Sequence, residues 1–123
     1  MVYIASKYNE PSSGARLQNT HINFDFAIEL YTRSKHELVP YSPLWTHFLD
    51  ERMQYLKMGE RENEFWYEFD NAIIPKMDAM LKVTKWGESK GADAEEVLAE
   101  HLKIPVFYTM EQILKWNESQ KSD

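Results

Sequence analysis

Two carboxylates and a tyrosine carry most of the chemistry this chain can offer. Glu95 lies in residues 85–100 (KWGESKGADAEEVLAE), after a Ser-Lys-Gly turn and at the head of a helical run. In the first turn of that helix, beside unpaired backbone N–H groups, its ionised form is expected to be favoured. A rigidly held, ionised carboxylate can serve as nucleophile on a sugar anomeric carbon. The plainer purpose of the same residues is helix capping, because Asp93 with Glu96 matches a capping box. A glycosidic bond also needs an acid for its leaving group. Asp70, near the end of the helix before the third strand, and Asp78, at that strand's start, are the candidates. Unaided by Glu95, Asp70 reads as a solvated helix residue and Asp78 as a cap or ion-pair partner. Tyr3 is either a core side chain or a phenol that orients a carboxylate.

Binding groups cluster in three loops. Ser6, Lys7 and Tyr8 form the first. Lys7, Arg16 and Ser89 are the groups best placed to meet a phosphate, helped by the helix that starts after Gly91. The first loop has less glycine than a phosphate cradle normally shows. In the second loop Trp45 and His47 can stack on or hydrogen-bond a base, or simply pack. No set of histidines and carboxylates has metal-ligand spacing, so neither a metal nor another cofactor is expected.

The elements that must position these residues alternate. Residues 2–5 (VYIA) predict a buried strand, and residues 9–14 (NEPSSG) a turn-rich loop. From Ala15 to about Ser34 the chain reads as a helix, with Leu17, Ile22, Phe24, Ala27, Ile28 and Tyr31 as its apolar stripe. Residues 37–41 (ELVPY) predict a second strand whose proline confines it to an edge or end. Residues 44–58 form an amphipathic segment broken by Gly59. Residues 61–74 predict a helix with Phe65, Trp66, Phe69 and Ile73 on one side. Strands follow at 77–83 and 104–108, and helices at 93–102 and 110–116, before a polar tail from residue 117. Apolar strands alternating with helices imply an α/β three-layer sandwich with a small, mostly parallel sheet of flavodoxin or Rossmann type, in one domain. Ligands in such sheets collect beyond the strand C-termini. The loops at 6–14, 41–47 and 85–93 gather there.

Composition narrows the classes. The 123 residues suit one domain, and the chain has no cysteine, which excludes disulfides and thiolate chemistry and fits a reducing cytoplasm. The opening residues do not resemble a signal peptide. No stretch is long and apolar enough to span a membrane. A net charge of −6 with scattered basic residues argues against binding a nucleic-acid polymer.

In this order the pieces resemble the nucleoside 2-deoxyribosyltransferase superfamily. The resemblance rests on VYIA, on Arg16-Leu-Gln-Asn19 and on the segment FDNAIIPKMDAMLKV. It continues through residues 86–95 (WGESKGADAE) and a closing IPV strand, covering about residues 2 to 110. It implies that Glu95 is the nucleophile, that Asp70 assists proton transfer to the base, and that Tyr3 hydrogen-bonds Glu95. The transferases carry an aspartate six residues before the nucleophile, where this chain has Ser89. The similar 2′-deoxynucleoside 5′-phosphate N-hydrolases carry serine there and use it on the substrate phosphate. Their glycine- and arginine-rich first loop is absent here, with Lys7 and Arg16 as possible substitutes. The resemblance thus implies cleavage of the N-glycosidic bond of a deoxynucleoside 5′-monophosphate or nucleoside, with hydrolysis favoured over base exchange. It also implies a homodimer or larger assembly, for which residues 45–55 are a candidate interface. Alternatives are a base-exchanging transferase, a nucleotide-binding module without turnover, and a structural scaffold.

Overall fold

Strand β1, Val2–Ala5, is completely buried and alternates its side chains between two cores. Val2 and Ile4 enter one cluster, with Ala27, Leu30 and Ile113, while Tyr3 and Ala5 enter the other, with Ile74, Met80, Ala92 and Ala99. A strand covered on both faces has no polar side to show, which is why VYIA is uninterrupted. The computed structural model describes residues 1–58, 63–84 and 89–121. The Lys85–Glu88 part of the signature stretch, Gly59, the start of the third helix at Arg61 and the last two residues lie outside them.

Helix α1, Ser13–Arg33, follows, capped by the Ser12 hydroxyl, which accepts from the Ala15 N–H at 3.1 Å. Strand β2, Pro40–Tyr41, is two residues long. A 3₁₀ turn, Pro43–Trp45, leads into α2, Thr46–Tyr55, and then come α3, Asn63–Ile73, and β3, Ala79–Lys82. Helix α4 is Lys90–His101, β4 is Val106–Phe107 and α5 is Met110–Ser119. The four strands form one all-parallel sheet in the order β2-β1-β3-β4, paired Val2 with Pro40, Val2 with Ala79 and Met80 with Val106. Both edge strands are two-residue strands with a proline at or just before their start, Pro40 and Pro105. Helices α1 and α5 cover one face and α4 the other. The fold is the expected α/β arrangement, a small Rossmann-like parallel sheet in one domain.

Several boundaries differ from expectation. The second strand is shorter than residues 37–41, since Pro40 offers no N–H and only two residues pair with β1. Helix α4 starts three residues earlier than Asp93, because Ser89 rather than Asp93 is its cap. Helix α5 runs through residues 117–119 of the expected polar tail, and Lys121 beyond it pairs with Glu37 and Glu118. The inner face of α1 also departs from its apolar stripe. Thr20, Asn23, Ala27 and Leu30 are buried, whereas Ile28 is 62% exposed. Thr20 donates its hydroxyl to the Arg16 carbonyl at 3.0 Å, and Asn23 bonds the β1 end, so both polar groups are satisfied inside.

Candidate functional site

The end of β1 is held open by α1. Asn23 donates from Nδ2 to the Ile4 carbonyl at 2.9 Å and to the Ser6 hydroxyl at 2.7 Å. Its Oδ1 accepts from the Ser42 hydroxyl after β2. Asn19, one turn earlier, donates to the Tyr8 carbonyl at 3.2 Å. Two asparagines four apart on one helix face thus fix the loops after β1 and β2, and a cavity forms between those loops, α3 and α4. Ser6, Tyr8 and Asn9 line it from the first loop, and Pro43, Leu44, Thr46, His47 and Asp50 from the turn into α2. Trp66, Tyr67 and Asp70 come from α3, and Ser89, Gly91, Ala92 and Glu95 from α4 and its cap. The cavity is partly open to solvent, and its inner space is about 70 Å³, room for roughly two waters at their liquid volume. A nucleoside-sized ligand needs several times that, so it would extend through the open side of the cavity, which Trp66 and Tyr67 help to line.

Glu95 is the sixth residue of α4, counting Lys90 as the first. It therefore sits in the second turn, not the first as expected, and looks toward the sheet. Its Oε2 accepts a hydrogen bond from the Tyr3 hydroxyl. Tyr3 is fully buried in β1 and stacked on Tyr41, ring centroids 5.8 Å apart, so its phenol has little freedom. Burial, and then the charges of Glu95 and Asp70, raise the Tyr3 hydroxyl well above the usual phenol range. It stays protonated and acts only as donor.

The expectation that the helix start favours ionised Glu95 is overturned. Burial raises its carboxyl to about 8, the Tyr3 bond opposing and the nearby Asp70 charge reinforcing that rise. Burial alone raises Asp70 to about 7, and its Oδ1 has no hydrogen-bond partner. The Asp70 charge acts on Glu95 in this shared cavity, so the two titrations are linked. Near neutral pH the pair holds about one proton, one acid and one base side by side.

The remaining candidates divide. Ser6, His47, Ser89 and Gly91 line the cavity with the pair, whereas Lys7 and Arg16 do not. Lys7 Nζ lies 2.9 Å from Glu10 Oε1, and the Arg16 guanidinium donates to the Glu10 carbonyl at 2.9 Å. Arg16 still acts on the cavity at second hand: burial raises the Tyr8 hydroxyl and the Arg16 charge opposes that rise. Ser89 is the N-cap, its hydroxyl accepting from the Ala92 N–H at 3.2 Å. The expected Asp93–Glu96 capping box does not form, and both residues pair with Lys82, at 2.6 and 2.7 Å. Asp78 binds the N-terminal ammonium at 2.5 Å, away from the cavity. At Gly91 an added Cβ would meet the Tyr67 ring at 3.4 Å, ordinary contact, so the glycine is not there to avoid a clash.

His47 is buried, with Nδ1 2.7 Å from the Tyr8 hydroxyl and Nε2 2.7 Å from Glu51 Oε1, the latter without hydrogen-bond alignment. Asp50 and Asn23 are site residues that sequence reading passed over. The Thr46, His47, Asp50 spacing puts all three on one face of α2, a signal hidden inside a segment read only as amphipathic. Among the described residues no group of three or more histidines and carboxylates is arranged to hold a metal ion, and no helix is long and apolar enough to cross a membrane.

The chain belongs to the domain-of-unknown-function family DUF4406, which it matches over residues 2–108. No curated protein and no solved structure matches it.

Proposed function

We propose that this DUF4406 chain cleaves the N-glycosidic bond of a deoxynucleoside or its 5′-monophosphate, through a covalent ribosyl ester on Glu95. The observation that carries the reading is the Tyr3 hydroxyl on Glu95 Oε2, with Asp70 lining the same cavity. One carboxylate oxygen is anchored, which leaves Oε1 to attack C1′. As the C1′–N bond breaks through an oxocarbenium-like state, its electron pair goes to the base nitrogen, which takes the Asp70 proton. Water then adds to C1′, returns a proton to Asp70 and releases Glu95 as carboxylate.

The working form of the pair has the charge on Glu95 and the proton on Asp70. Burial of Glu95 disfavours that arrangement and the Tyr3 bond favours it. Positive charge developing on the sugar stabilises it further, so the site binds the transition state better than the substrate. The test is base release from deoxynucleosides and their 5′-monophosphates by wild type and Glu95→Ala, with and without an added free base. Release lost in Glu95→Ala supports the reading, and incorporation of the added base would assign a transferase instead of a hydrolase. No release from any substrate would sink it.

A further inference from the structure

Three of the carboxyl groups in the chain, Asp50, Asp70 and Glu95, line one small cavity, and among the described residues no lysine or arginine lines it with them. Asp50 reaches it from α2, and the reacting pair from α3 and α4. Its Oδ2 accepts from Gln54 Nε2 at 2.9 Å, which fixes the carboxylate. Its Oδ1 is buried with no hydrogen-bond donor. A buried acceptor left without a donor is costly, and the cost is removed by a ligand that brings an O–H or N–H. Beside Asp50 stand Thr46 and His47, both buried, His47 tied to Tyr8. That wall is polar, rigid and rich in acceptors.

The same wall is hostile to a phosphate. Lys7 pairs with the Glu10 carboxylate and Arg16 donates to the Glu10 backbone carbonyl, and neither lines the cavity. The start of α4, the local feature that most favours an anion, has one of its free N–H groups, that of Ala92, already taken by the Ser89 side chain. The Asp93 N–H donates to the Ser89 carbonyl at 2.9 Å. A phosphate placed against Asp50 would meet like charge, an arrangement that discriminates against it.

We infer that Asp50 selects the substrate of this site: its free Oδ1 accepts from a hydroxyl at the sugar end of an unphosphorylated nucleoside, and its charge turns away the 5′-monophosphate. This rests on the glycosidase reading and narrows it. A site built to receive a hydroxyl rejects the analogue that cannot supply one more sharply than an apolar pocket rejects a missing methylene.

The experiment compares kcat/KM for the four common deoxynucleosides with their 5′-monophosphates, in wild type and Asp50→Asn. The expected result is a preference of about 100-fold or more for the nucleosides, shrinking about tenfold or more in Asp50→Asn, chiefly through KM. Because that substitution touches a buried group, thermal-shift binding of both ligand classes to Glu95→Gln, with Asp50 intact, gives a second reading. Nucleosides should raise its melting temperature and monophosphates should not. A monophosphate preference with Glu95-dependent release overturns this inference and leaves the glycosidase reading standing. An equal loss for both substrate classes in Asp50→Asn also overturns it. Nucleoside-selective binding without base release keeps the selectivity and overturns the glycosidase reading.

Discussion

Glu95 and Glu96 are consecutive residues of α4 with opposite fates. Each accepts a hydrogen bond from a tyrosine hydroxyl, Tyr3 for Glu95 and Tyr108 for Glu96. Glu96 also holds the Lys82 ammonium at 2.7 Å, and Lys82 with Tyr108 lowers its carboxyl below the usual range. Glu95 has no such cation, and burial with Asp70 as neighbour drives it to about 8. A tyrosine alone therefore does not decide the state of a carboxylate. Burial and countercharge do, and the helix directs the first acid to a cavity where its proton is negotiable and the next to a fixed ion pair. Lys82 adds to this from the far side. Burial pulls its ammonium down, yet the bonds to Asp93 and Glu96 outweigh that and raise it, so it stays charged and clamps α4 to the end of β3.

The contrast can be broken most severely at Glu95. Glu95→Gln should reduce base release about 1,000-fold or more, the scale of losing a nucleophile, whereas Glu96→Gln should leave it within about threefold. Steady-state assays on the pair of variants check this, and equal losses would show that the two acids are not functionally distinct.

Stability against pH comes next. A carboxyl raised in the folded state is one that the unfolded chain ionises first. Folding stability should therefore fall as pH rises from about 4.5, where unfolded glutamate ionises, to about 8, where folded Glu95 does. The loss is on the order of 5 kcal/mol. Glu95→Gln should remove that part of the pH dependence in melting curves, leaving the part of the same sign that the raised Asp70 contributes. Glu96 has the opposite sign, adding stability at higher pH that is lost on acidification. Being in contact with solvent, it should contribute only a few tenths of a kcal/mol.

Asp70 sharpens the comparison from inside the cavity. The pair loses its two protons at about 7 and about 8, so the pH profile of kcat/KM should be bell-shaped between them. The working form, with Glu95 ionised and Asp70 protonated, is the minor one-proton tautomer. Asp70→Asn should lower the rate about 100-fold and abolish the alkaline limb, because the proton donor is gone. A profile that keeps both limbs would assign the acid elsewhere. The smallest effects belong to the tyrosines. Tyr3→Phe should cost about tenfold in rate and move the acid limb upward, since the only bond favouring ionised Glu95 is removed. Tyr108→Phe, at the solvent-facing pair, should change neither by more than about twofold.

How much of this was legible depended on whether a residue's purpose was written in its own neighbourhood. The buried strands were, because VYIA and the Ala79-Met80-Leu81 part of β3 are buried on both faces and read as apolar runs. The inner face of α1 was not. Ile28 and Tyr31 outrank Asn23 and Thr20 in hydrophobicity, yet the polar pair is inside. Asn23 is valued there for bonds to Ile4, Ser6 and Ser42, partners up to nineteen residues away that no helical period can register. Glu95 was found by its acidic setting and its resemblance, but its ionisation was misjudged. The turn count slipped by three residues, because Ser89 and not Asp93 caps α4, and burial, which propensity does not report, outweighed the helix dipole. Asp50 escaped notice for a related reason. On an amphipathic helix an aspartate reads as solvated until the cavity beside it is known.

The two edges of the sheet have a consequence for how this protein behaves when crowded. A parallel sheet grows into a fibre by offering a long, flat, unpaired strand to another chain. Here each border offers two residues, with Pro40 opening one and Pro105 preceding the other. A third chain arriving edge-on finds too few amides to grip. Strand-by-strand growth is therefore disfavoured at both borders, and exposed apolar groups such as Ile28, Val39 and Tyr55 are left to meet another surface through side chains alone.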